Sequence, residues 1–183
     1  EMSREEKVML QYAAPMHDVG KIGVPDQILL KPERLTKTEF EIIKLHTVIG
    51  SRILSGTAVP LLELAREIAI SHHERWDGNG YPFGIEGDKI PMSGMIVAVT
   101  DVFDALTSER VYKKAWPIDK ALDYLKSQRE KQFCPDVVDA FINIQDKVSE
   151  IKEAKADPVM AKSIIQQIID GDHSIGELIE RWR

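Results

Sequence analysis

A chain of 183 residues, 43% hydrophobic and 30% charged, can bury one sizeable core and reads as a single globular domain with a terminal appendage. Lysine and arginine number 24 against 30 aspartates and glutamates, and the net charge of -6 disfavours polymeric nucleic acid and anionic membrane surfaces while leaving room for a local basic pocket. No apolar run approaches the roughly 18 residues of a membrane span, no signal-peptide pattern opens the chain, and the lone Cys134 forms no internal disulfide, so a cytoplasmic setting is expected.

The chain opens at Glu1-Met2-Ser3-Arg4 in polar, helix-prone sequence that reads as a cut through a longer protein. Val8, Met9, Tyr12, Ala13 and Met16 predict a helix ending near His17-Asp18, with Pro15 at a kink or restart. Thr36-Lys37-Thr38-Glu39 is a capping-box pattern opening a helix to about residue 54. The next runs from 60 to 74, with Pro60 in its first turn. Residues 92–106 are apolar nearly all round and suit a buried helix or a strand; their length favours helix. Helices over 118–129 and 135–152 follow, and Ser174-Ile175-Gly176-Glu177 caps a last short one. Glycines and prolines punctuate the connections and no strand pair emerges, so the expected fold is an all-α bundle.

Four of the five histidines fall in a series with carboxylates: His17-Asp18, His46, His72-His73 and, downstream, Asp101. These are the ligand types that divalent metals take. His46 shares a stripe with Ile42, Leu45, Ile49 and Ile53, which points it inward; a core histidine bonded to a carbonyl is the plain alternative. Continuing the 60–74 helix places His72 and His73 flanking its buried face about 100° apart, so the two rings diverge. Asp101 lies among Val97, Ala98, Val102 and Ala105, where a carboxylate needs a cation, an ion pair or a capping role. Lys21 follows His17 by four residues and shares its face if that helix continues; a solvated lysine is the alternative.

Taken in order, His17-Asp18-Val19-Gly20-Lys21-Ile22-Gly23-Val24-Pro25-Asp26, His72-His73-Glu74 with Asp77-Gly78-Asn79-Gly80-Tyr81-Pro82, and Asp101-Val102-Phe103-Asp104-Ala105-Leu106-Thr107 resemble the signature of the HD-GYP family. The likeness continues through Arg110-Val111-Tyr112-Lys113 and covers most of residues 13–135. It implies an HD-domain-like helical bundle with a glycine-rich GYP loop over 1–152, followed by short C-terminal helices in an extension over 153–183. It also implies a metal-dependent phosphodiesterase that hydrolyses the bacterial messenger cyclic di-GMP to pGpG, and in a second round to GMP.

By the same resemblance, His17, Asp18, His46, His72, His73 and Asp101 hold two or three iron or manganese ions. Asp18 bridges them, and Lys21 acts at the scissile phosphate. Gly80, Tyr81 and Pro82 shape the substrate loop, while Asp104, Arg110 and Lys113 surround the dinucleotide. Family members with the fuller cluster take a Glu and a His from an upstream helix; this chain offers only Glu1, Glu5 and Glu6 there, so an incomplete cluster is expected. Hydrolysis of cyclic GMP-AMP, or binding of a dinucleotide or a GGDEF-type cyclase without turnover, are the other readings. The apolar stripe Met160, Ile164, Ile165, Ile168 and Ile169 suits packing on the parent domain or on a second subunit.

Overall fold

The computed structural model describes residues 2–109 and 114–153. Among them the chain is helical without named strands; the one β-like feature is an isolated bridge between Arg129 and Phe133. Ser3 and Glu6 form a capping box that opens α1 (Arg4–Ala13). Pro15 then sits in the first turn of a 3₁₀ segment, Ala14–Met16, which is the predicted restart. A second 3₁₀ segment, Val19–Gly23, leads to the short α2 (Asp26–Leu29).

Thr36 accepts from the Glu39 amide and Glu39 from the Thr36 amide, so α3 (Lys37–Ile53) starts where the capping box predicts. Pro60 begins α4 (Pro60–Ser71), which stops three residues short of the expected 74. α5 (Met92–Thr107) is a helix, as its length suggested. α6 (Ile118–Ser127) follows, and the expected single helix over 135–152 is two, α7 (Pro135–Asn143) and α8 (Gln145–Glu153). The break falls at Ile144, whose φ of -106° and ψ of 16° leave the helical region and whose amide turns back to Phe141 and Ile142.

Two apolar clusters make the core. Ala13, Leu54, Ala65, Ile68, Ala69 and Val97 join α1, α3, α4 and α5; Val99, Phe103, Leu122, Leu125, Phe133, Val138 and Phe141 join α5, α6 and α7. Because α5 lies between them and feeds both, its sequence is apolar all round. The stripe expected to bury α3 does not do so. Leu45 and Ile53 are half exposed, and the buried residues are His46, Thr47 and Gly50. α3 is instead held by close backbone approach: a Cβ on Gly20 would lie 1.9 Å from the His46 carbonyl oxygen and 2.4 Å from the Gly50 nitrogen. That contact carries the 18–23 turn onto α3, and with it Asp18 and Lys21.

Arg110, Lys113, His173 and the helix capped at Ser174 lie outside the described residues.

Candidate metal centre

His17 follows the 3₁₀ turn, His46 projects from the middle of α3, His72 caps α4 and Asp101 stands on α5, so separate elements aim polar groups at one point. One ligand atom each from Asp18, His46, His72 and His73 lies within 4.8 Å of the others. His17 adjoins this group through Nε2, which is 3.3 Å from Asp18 Oδ2 and 3.8 Å from Asp101 Oδ1. His46 Nε2 and His72 Nε2 approach Asp18 Oδ1 to 3.4 and 4.0 Å. All six expected ligands thus meet. Asp18 is central to this arrangement.

The histidine tautomers follow from the backbone. His17 Nδ1 donates to the Ala14 carbonyl at 2.8 Å, His46 Nδ1 to that of Ile43 at 2.7 Å, and His72 Nδ1 to those of Ile68 and Ala69 at 3.1 Å. A carbonyl can only accept, so each Nδ1 carries the proton and each neutral Nε2 presents a lone pair. His46 Nε2 and His72 Nε2 then face each other at 3.4 Å with no proton between them. His17 Nε2 and Asp18 Oδ1 are buried without a hydrogen-bond partner. Lone pairs turned inward, tautomers locked by carbonyls and two orphaned buried acceptors are what a divalent cation would satisfy, so the residues fit a metal.

Electrostatics point the same way. Burial, then the neighbouring imidazoles, pushes His72 down to about 4 and His73 down to about 2. Burial also lowers His46. At His17 burial pulls downward but the contacts with Asp18, the Ala14 carbonyl and Asp101 outweigh it, and its pKa is raised. Burial raises Asp18, yet the His17 and Lys21 contacts dominate and hold it well below the usual carboxylate range. Neutral His46, His72 and His73 beside an ionised Asp18 are metal-binding protonation states, whereas His17 is drawn toward its charged form by Asp18 and Asp101.

Two local expectations change. His72 and His73 do not diverge: α4 ends at Ser71, helical spacing no longer applies, and the ring centroids lie 4.0 Å apart. Lys21 does not pair with the face of His17 as in an α-helix; the 3₁₀ geometry, three residues per turn, brings its ammonium onto Asp18 Oδ2.

The glycine-rich loop closes over the cluster. Its Tyr81 amide donates to the His73 carbonyl at 3.1 Å, and the Tyr81 ring stacks on His73 at 4.7 Å. Gly80 allows this because a Cβ there would lie 2.4 Å from the Arg75 nitrogen and 2.5 Å from Glu74 Cα. Glu74, 3% exposed, accepts from the amides of Phe83 at 2.8 Å and Ile85 at 3.0 Å, fixing the loop beyond Pro82. Burial, with Asp18 and Asp101 nearby, raises the Tyr81 phenol. Asp104, one turn beyond Asp101, is held by Lys152 at 3.1 Å and Ser108 at 3.1 Å.

A cavity of about 280 Å³ opens beside the cluster, its lining including His72, His73, Asp101, Phe40, Lys44 and Tyr81. Sequence reasoning missed Lys44 and Phe40, although their i, i+4 spacing on a capped helix that also carries His46 is a usable signal. It gave Glu74 no role, and nothing in the sequence flags Gln132, which joins the lining from the turn after α6.

A family model described as HD domain matches residues 1–137. The chain is 51% identical over 148 residues to a cyclic di-GMP phosphodiesterase of Thermotoga maritima, covering 81% of this chain and 40% of that protein. It is 47% identical over 150 residues to the cyclic di-GMP phosphodiesterase response regulator RpfG of Xanthomonas campestris, with 82% and 40% coverage. Against the 3'3'-cGAMP-specific phosphodiesterase 2 of Vibrio cholerae it is 40% identical over 156 residues, with 85% and 30% coverage. The chain spans about 40% of the length of the first two relatives. With three quarters of its residues matched by the family model and all-helical architecture around a histidine–aspartate cluster, the chain belongs to the HD domain family.

Proposed function

We propose that this chain is the catalytic part of a metal-dependent phosphodiesterase that hydrolyses cyclic di-GMP to pGpG, and further to GMP. The observation that carries the reading is the set of inward, partnerless Nε2 and Oδ1 atoms beside a cavity. The relatives named cyclic di-GMP phosphodiesterases support the substrate. In this reading 1–152 is the catalytic domain, 153–183 is a helical extension, and the setting is cytoplasmic. A GGDEF-type cyclase or a second copy of the chain is the macromolecular partner in this reading.

His17, Asp18, His46, His72, His73 and Asp101 would hold two or three iron or manganese ions. When bound, such ions activate water near neutral pH and neutralise charge on the attacked phosphoryl group. Water adds to phosphorus, the bond from phosphorus to the 3'-oxygen breaks, and the leaving oxygen takes a proton. Lys21, beside Asp18, is the donor or the stabilising charge for that oxygen. Asp104, Arg110 and Lys113 complete the substrate's surroundings, and the Gly80-Tyr81-Pro82 loop excludes water from the Tyr81 side. Cyclic GMP-AMP is the second substrate reading, favoured by the relative named for it.

The test is hydrolysis by anaerobically purified protein loaded with Fe(II) or Mn(II), with products separated by chromatography. Formation of pGpG that is lost together with metal in Asp18→Ala and His73→Ala is the expected result. Metal binding without turnover of either dinucleotide would leave a binding module instead.

A further inference from the structure

Lys44 sits on α3 four residues beyond Phe40 and two before His46, and it lines the same cavity as His72, His73 and Asp101. Its ammonium lies 5.2 Å from the centroid of the Phe40 ring and 5.4 Å from that of Tyr81, and those rings meet edge to face at 6.3 Å. The ammonium therefore lies over two aromatic rings that line the cavity. Arg75, the other Lys or Arg among the described residues lining this cavity, is forked onto Asp77 by bonds of 3.0 and 2.7 Å. Lys44 has Glu41 at 2.7 Å, whose side chain is 66% exposed. With Glu41 largely solvated the pair is weak, so Lys44, itself 27% exposed, can exchange Glu41 for a ligand at little cost.

We propose that Phe40 and Lys44 form a nucleobase subsite selective for guanine, the ring of Phe40 serving as stacking surface and the ammonium of Lys44 as donor to O6 and N7. This rests on the phosphodiesterase reading for its substrate. An ammonium carries donors only. Guanine offers two acceptors on that edge, whereas adenine replaces O6 with an amino donor that the ammonium repels. Phe40 is 45% exposed with the ammonium over its ring, and a partly open aromatic ring paired with a cation is a place where a purine stacks once the ammonium turns to the base edge. Six residues of α3 separate Phe40 from His46, about 9 Å along the helix axis, a span within reach of the phosphate and base of one nucleotide. The cavity, below the roughly 300–1,000 Å³ of pockets that enclose drug-sized ligands, takes one half of a cyclic dinucleotide.

The subsite fixes orientation, and this gives a readout that a structural role would not move. Cyclic GMP-AMP has two different phosphodiester bonds. If guanine occupies the Phe40 wall, the cluster cuts one of them preferentially, and the two linear isomers, pGpA and pApG, form in a ratio skewed about 5- to 10-fold. Lys44→Met should bring the ratio close to one and lower kcat/KM for cyclic di-GMP, while Lys44→Arg, which keeps the donors, should retain the skew. Phe40→Ala should raise KM. In parallel, GMP should bind the metal-loaded protein more tightly than AMP by a similar factor, and Lys44→Met should erase the difference. Equal isomers from the wild type, an unchanged skew in Lys44→Met, or equal binding of GMP and AMP would each overturn the subsite. A protein that prefers GMP in a Lys44-dependent way but hydrolyses no cyclic dinucleotide keeps the subsite and refutes the phosphodiesterase reading.

Discussion

Replacing Glu74 tests whether the loop that covers the cluster is held by one side chain. Its carboxylate is buried and takes two backbone amides, Phe83 at 2.8 Å and Ile85 at 3.0 Å, from nine and eleven residues downstream. Hydrogen bonds to a charged group contribute roughly 1.5–3 kcal/mol each, and amides left buried without a partner lose a comparable amount. Two such bonds at the lower bound make Glu74→Ala cost about 3 kcal/mol, reduced where water enters. Glu74→Gln keeps one acceptor and sets an amino group against the second amide, so about half that loss is expected. Global stability of a domain is roughly 5–15 kcal/mol, so the helices should survive while the loop opens locally. Amide hydrogen exchange reads this directly: 3 kcal/mol is a rate increase of about 150-fold at Phe83 and Ile85. Tyr81 should lose its stacked position on His73, raising KM with metal content unchanged. Wild-type exchange rates at both amides in Glu74→Ala would refute the clamp.

Gly20→Ala should displace the 18–23 turn, because its Cβ would meet the backbone of His46 and Gly50 rather than a side chain that can move. A stability loss of about 1–3 kcal/mol and weaker metal binding are expected, since Asp18 and Lys21 ride on that turn; thermal denaturation and metal titration matching wild type would contradict the close approach. Acid should destabilise the metal-free protein. With His72 at about 4 and His73 at about 2, against 6.5 in the unfolded chain, the unfolded state binds protons that the folded state refuses. Their contribution is complete above about pH 6.5 and declines below it, His72 alone accounting for about 3 kcal/mol by pH 4. His17, raised instead, offsets part of this. Urea midpoints that stay level from pH 7.5 to 4.5 would contradict the burial argument.

The parts of the fold legible in the sequence are those governed by local rules. Thr36 and Glu39 cap each other, so α3 begins where the motif says; Pro60 opens α4; the unbroken apolar run forms α5. What local rules do not govern was misread. Periodicity cannot see that α3 packs through Gly50 against Gly20, so it assigned Leu45 and Ile53 to the core although both are half exposed. It runs α4 on to 74 because His72-His73-Glu74 carries no glycine or proline to stop a helix, and so spreads apart two rings that lie together. All six expected ligands meet because ligand chemistry is a property of residue type, while Lys44, Phe40 and Gln132 reach the cavity through the packing of α3 and the turn after α6.

The end of α4 is also where architecture and chemistry coincide. At the end of α4 the Ile68 carbonyl accepts the His72 amide, and the Nδ1–H of His72 is shared between the carbonyls of Ile68 and Ala69, so one imidazole caps the helix and is itself fixed. His46 and His17 repeat the device three residues after Ile43 and Ala14. Each bond settles which nitrogen carries the proton and so delivers an Nε2 lone pair to the cluster without any side-chain partner. The cost is a set of lone pairs and a carboxylate oxygen buried at close range, which no group within the cluster relieves. A cation would supply that relief, so metal binding at this cluster would stabilise the fold as well as equip the site for chemistry.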